Sequence, residues 1–476
     1  MRASSTAEKR RQEEEIQWAR SELGGAGLGD ARLDVRLVSI VAAFLGAPEG
    51  SIPRSCGTWS AAKGAYRFFS NEKVEPEAIY ECHRQSTLKR AREEKVVLAI
   101  GDTTQLDYTE HLEAEGLGPL GDLAHYGLLF QPVLIATPER VPLGIAGQKI
   151  WVRDRDDFGQ SQTEKKRKRS IQKKESVKWL DSLAAAERFK LDLGSSETRV
   201  VAVFDREGDI FEVLAKARET GRKSELLVRA SWDRRVDHPQ KHLWAHMQAQ
   251  AEVGSLTLTV PRGPGTKARQ AVLSVRVAEV TVRRPQGREV DCDAKEVSIF
   301  CVYANEEAPP KCTEAVSWML FTTVQTRSFQ EACTIIEWYS TRWIIEILFR
   351  VLKSGCRAEE RQLETAERLK RCLAVDVIVA WRILYLTTTG RQLPDLPCTA
   401  VFEEHEWKGV WAFVNRTTKV PEKPPSLQVI VRLIGGLGGH LGRKGDGQPG
   451  AMTLWRGLQR VPDIAGMWLL CRGSSS

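Results

Sequence analysis

Two five-residue runs, Val96-Val97-Leu98-Ala99-Ile100 and Val200-Val201-Ala202-Val203-Phe204, constrain the fold of this chain more than any other feature. Both are continuously apolar, without the alternation of a strand that keeps one wet face. Such strands need cover on both sides, as strands inside an α/β sheet do. Each run delivers an aspartate: Asp102 within Gly101-Asp102-Thr103-Thr104, and Asp205 after Phe204. Open α/β sheets carry their chemistry at the carboxyl ends of strands. A lone aspartate there reads as a turn or cap residue, whereas two on equivalent strands support a functional reading.

The intervening segments fit the same sheet. A helix from Glu77 to about Glu94 leads into the first run, and strands are predicted over Leu128 to Ala136 and Val141 to Trp151, with a turn at Pro138 and Glu139. A helix over Glu175 to Phe189 precedes the second run. Gly208 and Asp209 open a helix to about Thr220, and Leu226-Leu227-Val228 is the next strand. The order is three strands, helix, strand, helix, strand. From about 231 to 312 the pattern becomes that of an antiparallel insertion: Leu256 to Val260, Ala271 to Val282 and Val297 to Tyr303, with basic turns at Arg262 and Lys267 and at Arg283, Arg284 and Arg288.

Both ends are helical. Residues 1–75 carry a helix with Ile16, Trp18 and Leu23. A turn at Gly29 follows, then a second helix capped by Asp30, with Leu33, Leu37, Ile40, Val41 and Phe44 inward and Arg32 and Arg36 exposed. Residues 386–476 hold helices broken by Pro and Gly clusters. The 476 residues leave room for two to four domains. The fold class is therefore multi-domain α/β, divided 1–75, 76–385 and 386–476.

A formal charge of +8 suits a polyanionic partner without requiring one. The run Lys165-Lys166-Arg167-Lys168-Arg169, with Lys173 and Lys174, is either a solvated loop or a phosphate clamp. Ten scattered cysteines lack zinc spacing, the charged stretch Glu8 to Glu15 is no secretory leader, and no apolar run nears the ~20 residues of a membrane span. The expectation is a cytoplasmic protein without a membrane partner.

Glu337 to Lys353 is predicted as one amphipathic helix. Its polar stripe is Tyr339, Arg342, Glu346, Arg350 and Lys353, and Trp343, Ile344, Ile347, Leu348, Val351 and Leu352 supply the apolar remainder. A single acid between two arginines can hold a divalent metal while its neighbours grip phosphate. A surface helix laced with ion pairs has the same pattern.

Tyr339-x2-Arg342-x3-Glu346-x6-Lys353 resembles the signature of the insertion-sequence-four family of bacterial DDE transposases. Gly101-Asp102-Thr103-Thr104 and Asp205-Arg206-Glu207-Gly208-Asp209 are similar to its first two acidic motifs. Leu28-Gly29-Asp30, Gly64-Ala65-Tyr66-Arg67-Phe68, Glu175-Ser176-x-Lys178-Trp179 and the glycines after Arg432 extend the likeness over nearly the whole chain. The resemblance implies an RNase-H-like core with Asp102, Asp205 and Glu346 as catalytic acids and metal ligands. They would hold two Mg²⁺ ions, which Mn²⁺ can replace. It implies a helical amino-terminal domain that binds transposon ends through Arg32 and Arg36, and a carboxyl-terminal domain that pairs two protomers on double-stranded transposon-end and target DNA. Excision would pass through a DNA hairpin before the 3′-hydroxyl joins target DNA. Tyr339, Arg342, Lys353 and Arg229 would contact DNA. Trp318 resembles the family's base-stacking residue, although by pattern it fits core packing as well.

The chain departs from the family pattern at Ile345 and Ile347, at Gln131-Pro132 and at Ser231-Trp232-Asp233-Arg234-Arg235. Two other functions share parts of the pattern: a metal-dependent RNase-H-like nuclease, and a DNA-binding transposition regulator without catalysis.

Overall fold

The computed structural model describes residues 6–111, 113–155, 169–260, 269–311, 313–392, 397–400, 402–443 and 448–473. Lys165 to Lys168 of the basic run, and Arg262 and Lys267 of the first basic turn, lie outside them.

Five helices precede the first strand: α1 (Thr6–Leu23), α2 (Ala31–Gly46), α3 (Ile52–Cys56), α4 (Trp59–Phe69) and α5 (Pro76–Ala91). Asp30 caps α2, its carboxylate accepting the Arg32 N–H at 2.9 Å, and Thr58 caps α4 through the Ala61 N–H at 3.2 Å. Each cap satisfies an orphan donor of a first turn. The buried face of α2 includes Leu37, Val38, Ile40, Val41 and Phe44.

The strands are β1 (Val96–Gly101), β2 (Thr104–Asp107), β3 (Gly118–Pro119), β4 (Tyr126–Ala136), β5 (Pro142–Trp151), β6 (Arg199–Phe204), β7 (Glu225–Arg229), β8 (Glu252–Val260), β9 (Arg269–Arg283), β10 (Glu296–Asn305) and β11 (Ser317–Thr322). Hydrogen-bonded neighbours run β2-β4-β1-β6-β7-β11-β10-β9-β8, with β3 and β5 also paired to β4. β1 is antiparallel to β4 and parallel to β6, and β6 is parallel to β7. This is the RNase-H-like arrangement, extended past β7 by the antiparallel insertion β8 to β11.

Period-2 geometry explains why β1 reads as continuously apolar. Leu98 and Ile100 enter one core, and Val97 and Ala99 enter another on the opposite face. The second face is covered by α6 (Val177–Asp192), through Trp179, Leu183, Ala186 and Phe189, and by α7 (Phe211–Ala217). A short helix, α8 (Leu243–Gln248), precedes the insertion strands.

The first face is covered by α9 (Phe329–Thr341), α10 (Ile344–Arg350) and the long α11 (Ala366–Gln392). Phe44 and Phe68 of the amino-terminal helices share this core with Leu98 and Trp381, so the helical end and the sheet are one packed body. The expected domain boundary at 385 falls inside α11. Four further helices close the chain: α12 (Glu404–Asn415), α13 (Leu427–Leu437), α14 (Ala451–Leu458) and α15 (Val461–Gly473). They build a smaller core around Trp407, Val410, Ile430 and Ile434. Gly457 permits the close crossing of α13 and α14, since a Cβ there would stand 1.9 Å from the Ile434 carbonyl oxygen.

Candidate active site

Gly101 and Phe204 are register partners on parallel strands, so Asp102 and Asp205 leave neighbouring strand ends together. Gly101 suits this approach: a Cβ would meet the Phe204 ring at 3.0 Å. Each aspartate spends one oxygen on its own turn. Asp102 Oδ1 accepts the Thr103 N–H at 2.8 Å, and Asp205 Oδ1 accepts the Glu207 N–H at 2.8 Å.

β2 resumes the register of β1 along β4, so Asp102 and Thr103 fall opposite Pro132 and Gln131. Proline has no N–H to give the ladder, and the pairing lapses there. Gln131 fills the break. Its amide oxygen accepts the Thr103 hydroxyl at 2.8 Å, and its amide nitrogen donates to Ser182 Oγ at 2.6 Å.

The third acid comes from a helix that differs from its sequence expectation. Residues 337–353 are not one helix. α9 stops at Thr341, α10 begins at Ile344, and Val351–Gly355 is π-helical. The break has a local cause. The Ser340 and Thr341 hydroxyls both donate to the Glu337 carbonyl, at 2.7 and 3.2 Å, and Thr341 also reaches Pro138 O at 3.0 Å. Such side-chain bonds compete with the helix ladder. One consequence corrects the expected apolar face: Trp343, in the break, is 51% exposed.

Arg342, in the same break, turns inward. Its Nη1 donates to Asp102 Oδ2 at 2.7 Å and its Nη2 to Glu346 Oε1 at 3.2 Å. Burial pushes the Asp102 carboxyl up to about 6; Arg342 opposes that rise, and the Asp205 and Glu346 charges reinforce it. Burial also raises Asp205; the Glu207 N–H opposes the rise, the Glu207 charge adds to it, and Arg342 and Lys178 oppose it. Burial works against the charge of Arg342, but Tyr339 and the three acids hold its guanidinium above its ordinary value. Three carboxylates thus share one field around one guanidinium. Among the described residues no three His, Cys, Asp or Glu side chains already form a metal-binding group. The donor set is nevertheless all hard oxygen and gathered on a cationic group, which fits a divalent ion of the Mg²⁺ type.

Other expected contacts spread around this centre. The Trp318 ring, half-buried on β11, meets the Tyr339 ring edge-on at 5.3 Å, and Arg342 lies 6.0 Å from the Tyr339 ring centre. Arg229, at the end of β7, donates to Ser317 O at 3.0 Å. Lys353 pairs with Glu359 at 3.1 Å rather than with the triad. Arg32 and Arg36 stand on the exposed side of α2, Arg32 on Asp30 and Arg36 beside Gly64. Lys178 and Gln131 were not assigned to the site from sequence. Lys178 is buried and reaches Glu207 at 3.1 Å, two residues beyond Asp205. Its signal was a lysine one turn before Ser182 on a helix that buries Trp179; that of Gln131 was a polar residue inside an apolar strand.

Family models match three consecutive stretches of the chain. Transposase DNA-binding covers residues 15–74, Transposase DDE domain 146–378, and Transposase Tn5 dimerisation domain 378–468. Asp205 and Glu346 lie within the DDE match, and Asp102 precedes it. A solved structure, titled "Cryo-EM structure of piggyBac transposase synaptic complex with hairpin DNA (SNHP)", aligns over 80% of this chain and 78% of its own, with a TM-score of 0.31 and 9% identity; so distant a likeness carries no argument. No helix among the described residues is long and apolar enough to cross a membrane. DNA and a second protomer are the partners that the end domains call for, and a divalent metal is what the DDE domain requires. The chain belongs to the DDE transposases, enzymes that cleave DNA and transfer its strands, and it resembles the Tn5 transposase.

Proposed function

We propose that the protein is a cut-and-paste transposase whose catalytic acids are Asp102, Asp205 and Glu346. One observation carries this reading: a single guanidinium, Arg342, spans Asp102 and Glu346 while the charge of Asp205 is felt at Asp102. Asp102, which feels the charges of both other acids, would be the ligand shared by two Mg²⁺ ions, with Asp205 and Glu346 each completing the hold on one; Mn²⁺ would substitute. Bound there, such a pair would activate the attacking oxygen and stabilise the leaving one.

The remaining work falls to side chains of this chain. Arg342 leaves the carboxylates for a phosphate, which its planar fork grips as well as it grips a carboxylate. Tyr339, Lys353 and Arg229 hold neighbouring phosphates. Water opens the strand at the transposon end and frees a 3′-hydroxyl. That hydroxyl attacks the opposite strand, displacing the flanking DNA and leaving a hairpin. A second water opens the hairpin, and the regenerated 3′-hydroxyl joins target DNA. The hairpin tip needs a sharp bend, relieved by extruding a base. Trp318 offers that base an aromatic face, worth about 1–3 kcal/mol. Residues 1–75, with Arg32 and Arg36, bind the transposon end, 76–385 cut and join, and 386–476 pair the protomers. The protein would work in the bacterial cytoplasm, on the nucleoid.

The test uses a labelled duplex of the native transposon end, Mg²⁺ and a target plasmid, with wild type beside Glu346→Gln. Nicks, hairpins and joined products from wild type alone are expected. Cutting without hairpins or joining would make the protein a nuclease. End binding without cutting under either metal would make it a regulator.

A further inference from the structure

On the face of the sheet opposite Trp318 and Tyr339, a second aromatic–arginine cluster opens at Asp209, which ends the short turn that Asp205 begins. Trp232, in the loop after β7, is 65% exposed and lines a cavity of about 460 Å³ with Lys174, Asp209, Arg235 and Arg284. A second cavity of about 420 Å³ adjoins it, sharing Arg235 and Arg284 and adding Lys295 and Glu296. The loop is fixed in place. Buried Asp209, four residues beyond Asp205, accepts the Ser231 and Trp232 N–H groups at 2.7 and 3.1 Å and the Arg234 guanidinium at 2.7 Å.

Charge sorts the arginines. Arg234 is neutralised by Asp209, Arg288 by Glu212 at 2.8 Å, and Arg283 by Asp237. Arg235 donates only to a neutral group, Gln286 Oε1 at 2.8 Å, and Arg284 to the Val290 and Cys292 carbonyls at 2.8 and 2.5 Å. Among the described residues neither meets a carboxylate. Two uncompensated guanidinium groups beside an outward tryptophan suit phosphates flanking a base or sugar.

We propose that this groove holds the target duplex, with Arg235 and Arg284 on its phosphates and Trp232 against the duplex where it nears Asp205. The inference rests on the transposition reading. That reading gives the transposon end to the Trp318 face, and the incoming 3′-hydroxyl must meet a second DNA at the same carboxylates. This is the basic surface that flanks the Asp205 turn on the other side.

The full-length protein is saturated with end duplex in Ca²⁺, and binding of an unrelated labelled duplex is titrated for wild type, Arg235→Gln, Trp232→Ala and Trp232→Phe. Arg235→Gln and Trp232→Ala are expected to weaken the unrelated duplex about tenfold while end binding holds, and Trp232→Phe to restore most of the loss. The arginine change should also reduce the salt slope by about one. Unchanged affinity for the unrelated duplex, or no such binding by wild type, overturns the groove. Equal loss of both DNAs also overturns it, because that marks a structural role. If both duplexes bind as expected but Mg²⁺ yields no cutting, the transposition reading fails while the groove stands as a DNA site.

Discussion

At Glu22 one acid meets two basic side chains; at Arg342 one base meets two acids, with a third close by. His83 Nδ1 stands 2.6 Å from Glu22 Oε1, and Arg90 makes two bonds of 2.9 Å to the same carboxylate. His83 Nε2 accepts the Ile145 N–H at 3.0 Å, so its other nitrogen carries the proton and donates. Burial alone would raise Glu22, but these donors outweigh it and hold the carboxyl at about 2. Asp102 meets one guanidinium, shared with Glu346, and no comparable set of donors, and its carboxyl climbs to about 6. The difference separates a clamp from a site. The first cluster ties α1, α5 and β5 together and is satisfied. The second holds excess negative charge that a substrate-side cation can relieve, the condition in which perturbed acids mark function.

The largest effects are expected at the acids. Asp205→Asn or Glu346→Gln is expected to lower strand cleavage by roughly 10³-fold or more, since each removes charge where phosphate charge must be managed. Single-turnover nicking checks this, and near-normal nicking would return Glu346 to a surface ion pair. Glu22→Gln is expected to destabilise the fold by about 3 kcal/mol, because it leaves buried partners unmet. Denaturant titration measures the loss. The pH dependence follows from the same shift. Glu22 is held below its ordinary 4.5, so its contribution is present above about 4.5 and is lost as pH falls through about 2. The variant's acid limb should be correspondingly flatter.

Asp102→Asn should act with the opposite sign. The native carboxyl is raised from 3.8 to about 6, so the folded state binds the extra proton between those values. Stability falls as pH rises through that window and stays low above it. In chelator at pH 7.5 the variant is expected to be more stable than wild type by roughly 1–3 kcal/mol. The smallest effect belongs to Lys353→Gln, whose half-exposed pair with Glu359 is worth under about 1 kcal/mol to stability. Its loss should appear in hairpin yield and leave the melting curve in place.

These differences also mark what could be read in advance. The placement of Asp102 and Asp205 at neighbouring strand ends was legible because the runs before them must be covered on both faces, and burial on both sides leaves an unbroken apolar word. Glu346 was legible by its spacing from Arg342. The break at Arg342 was not, because its local cause, the Ser340 and Thr341 hydroxyls on the Glu337 carbonyl, is joined by the bond from Thr341 to Pro138, some two hundred residues away in sequence. Trp343 faces outward for the same reason. Gln131 looked like a local change beside a proline, and its use emerges only when β4 lies opposite the gap after β1. The sharing of one core by Phe44 and Trp381 left no periodic trace either, since a helix face records that it is buried and not against what.

The most direct measurement is the thermal stability of wild type and Asp102→Asn at pH 7.5, each in chelator and in Mn²⁺. The variant is expected to melt higher than wild type in chelator, wild type to rise with Mn²⁺, and the variant to gain little. A variant that melts lower in chelator and gains as much from Mn²⁺ as wild type would contradict it, and would place both the surplus charge and the metal elsewhere.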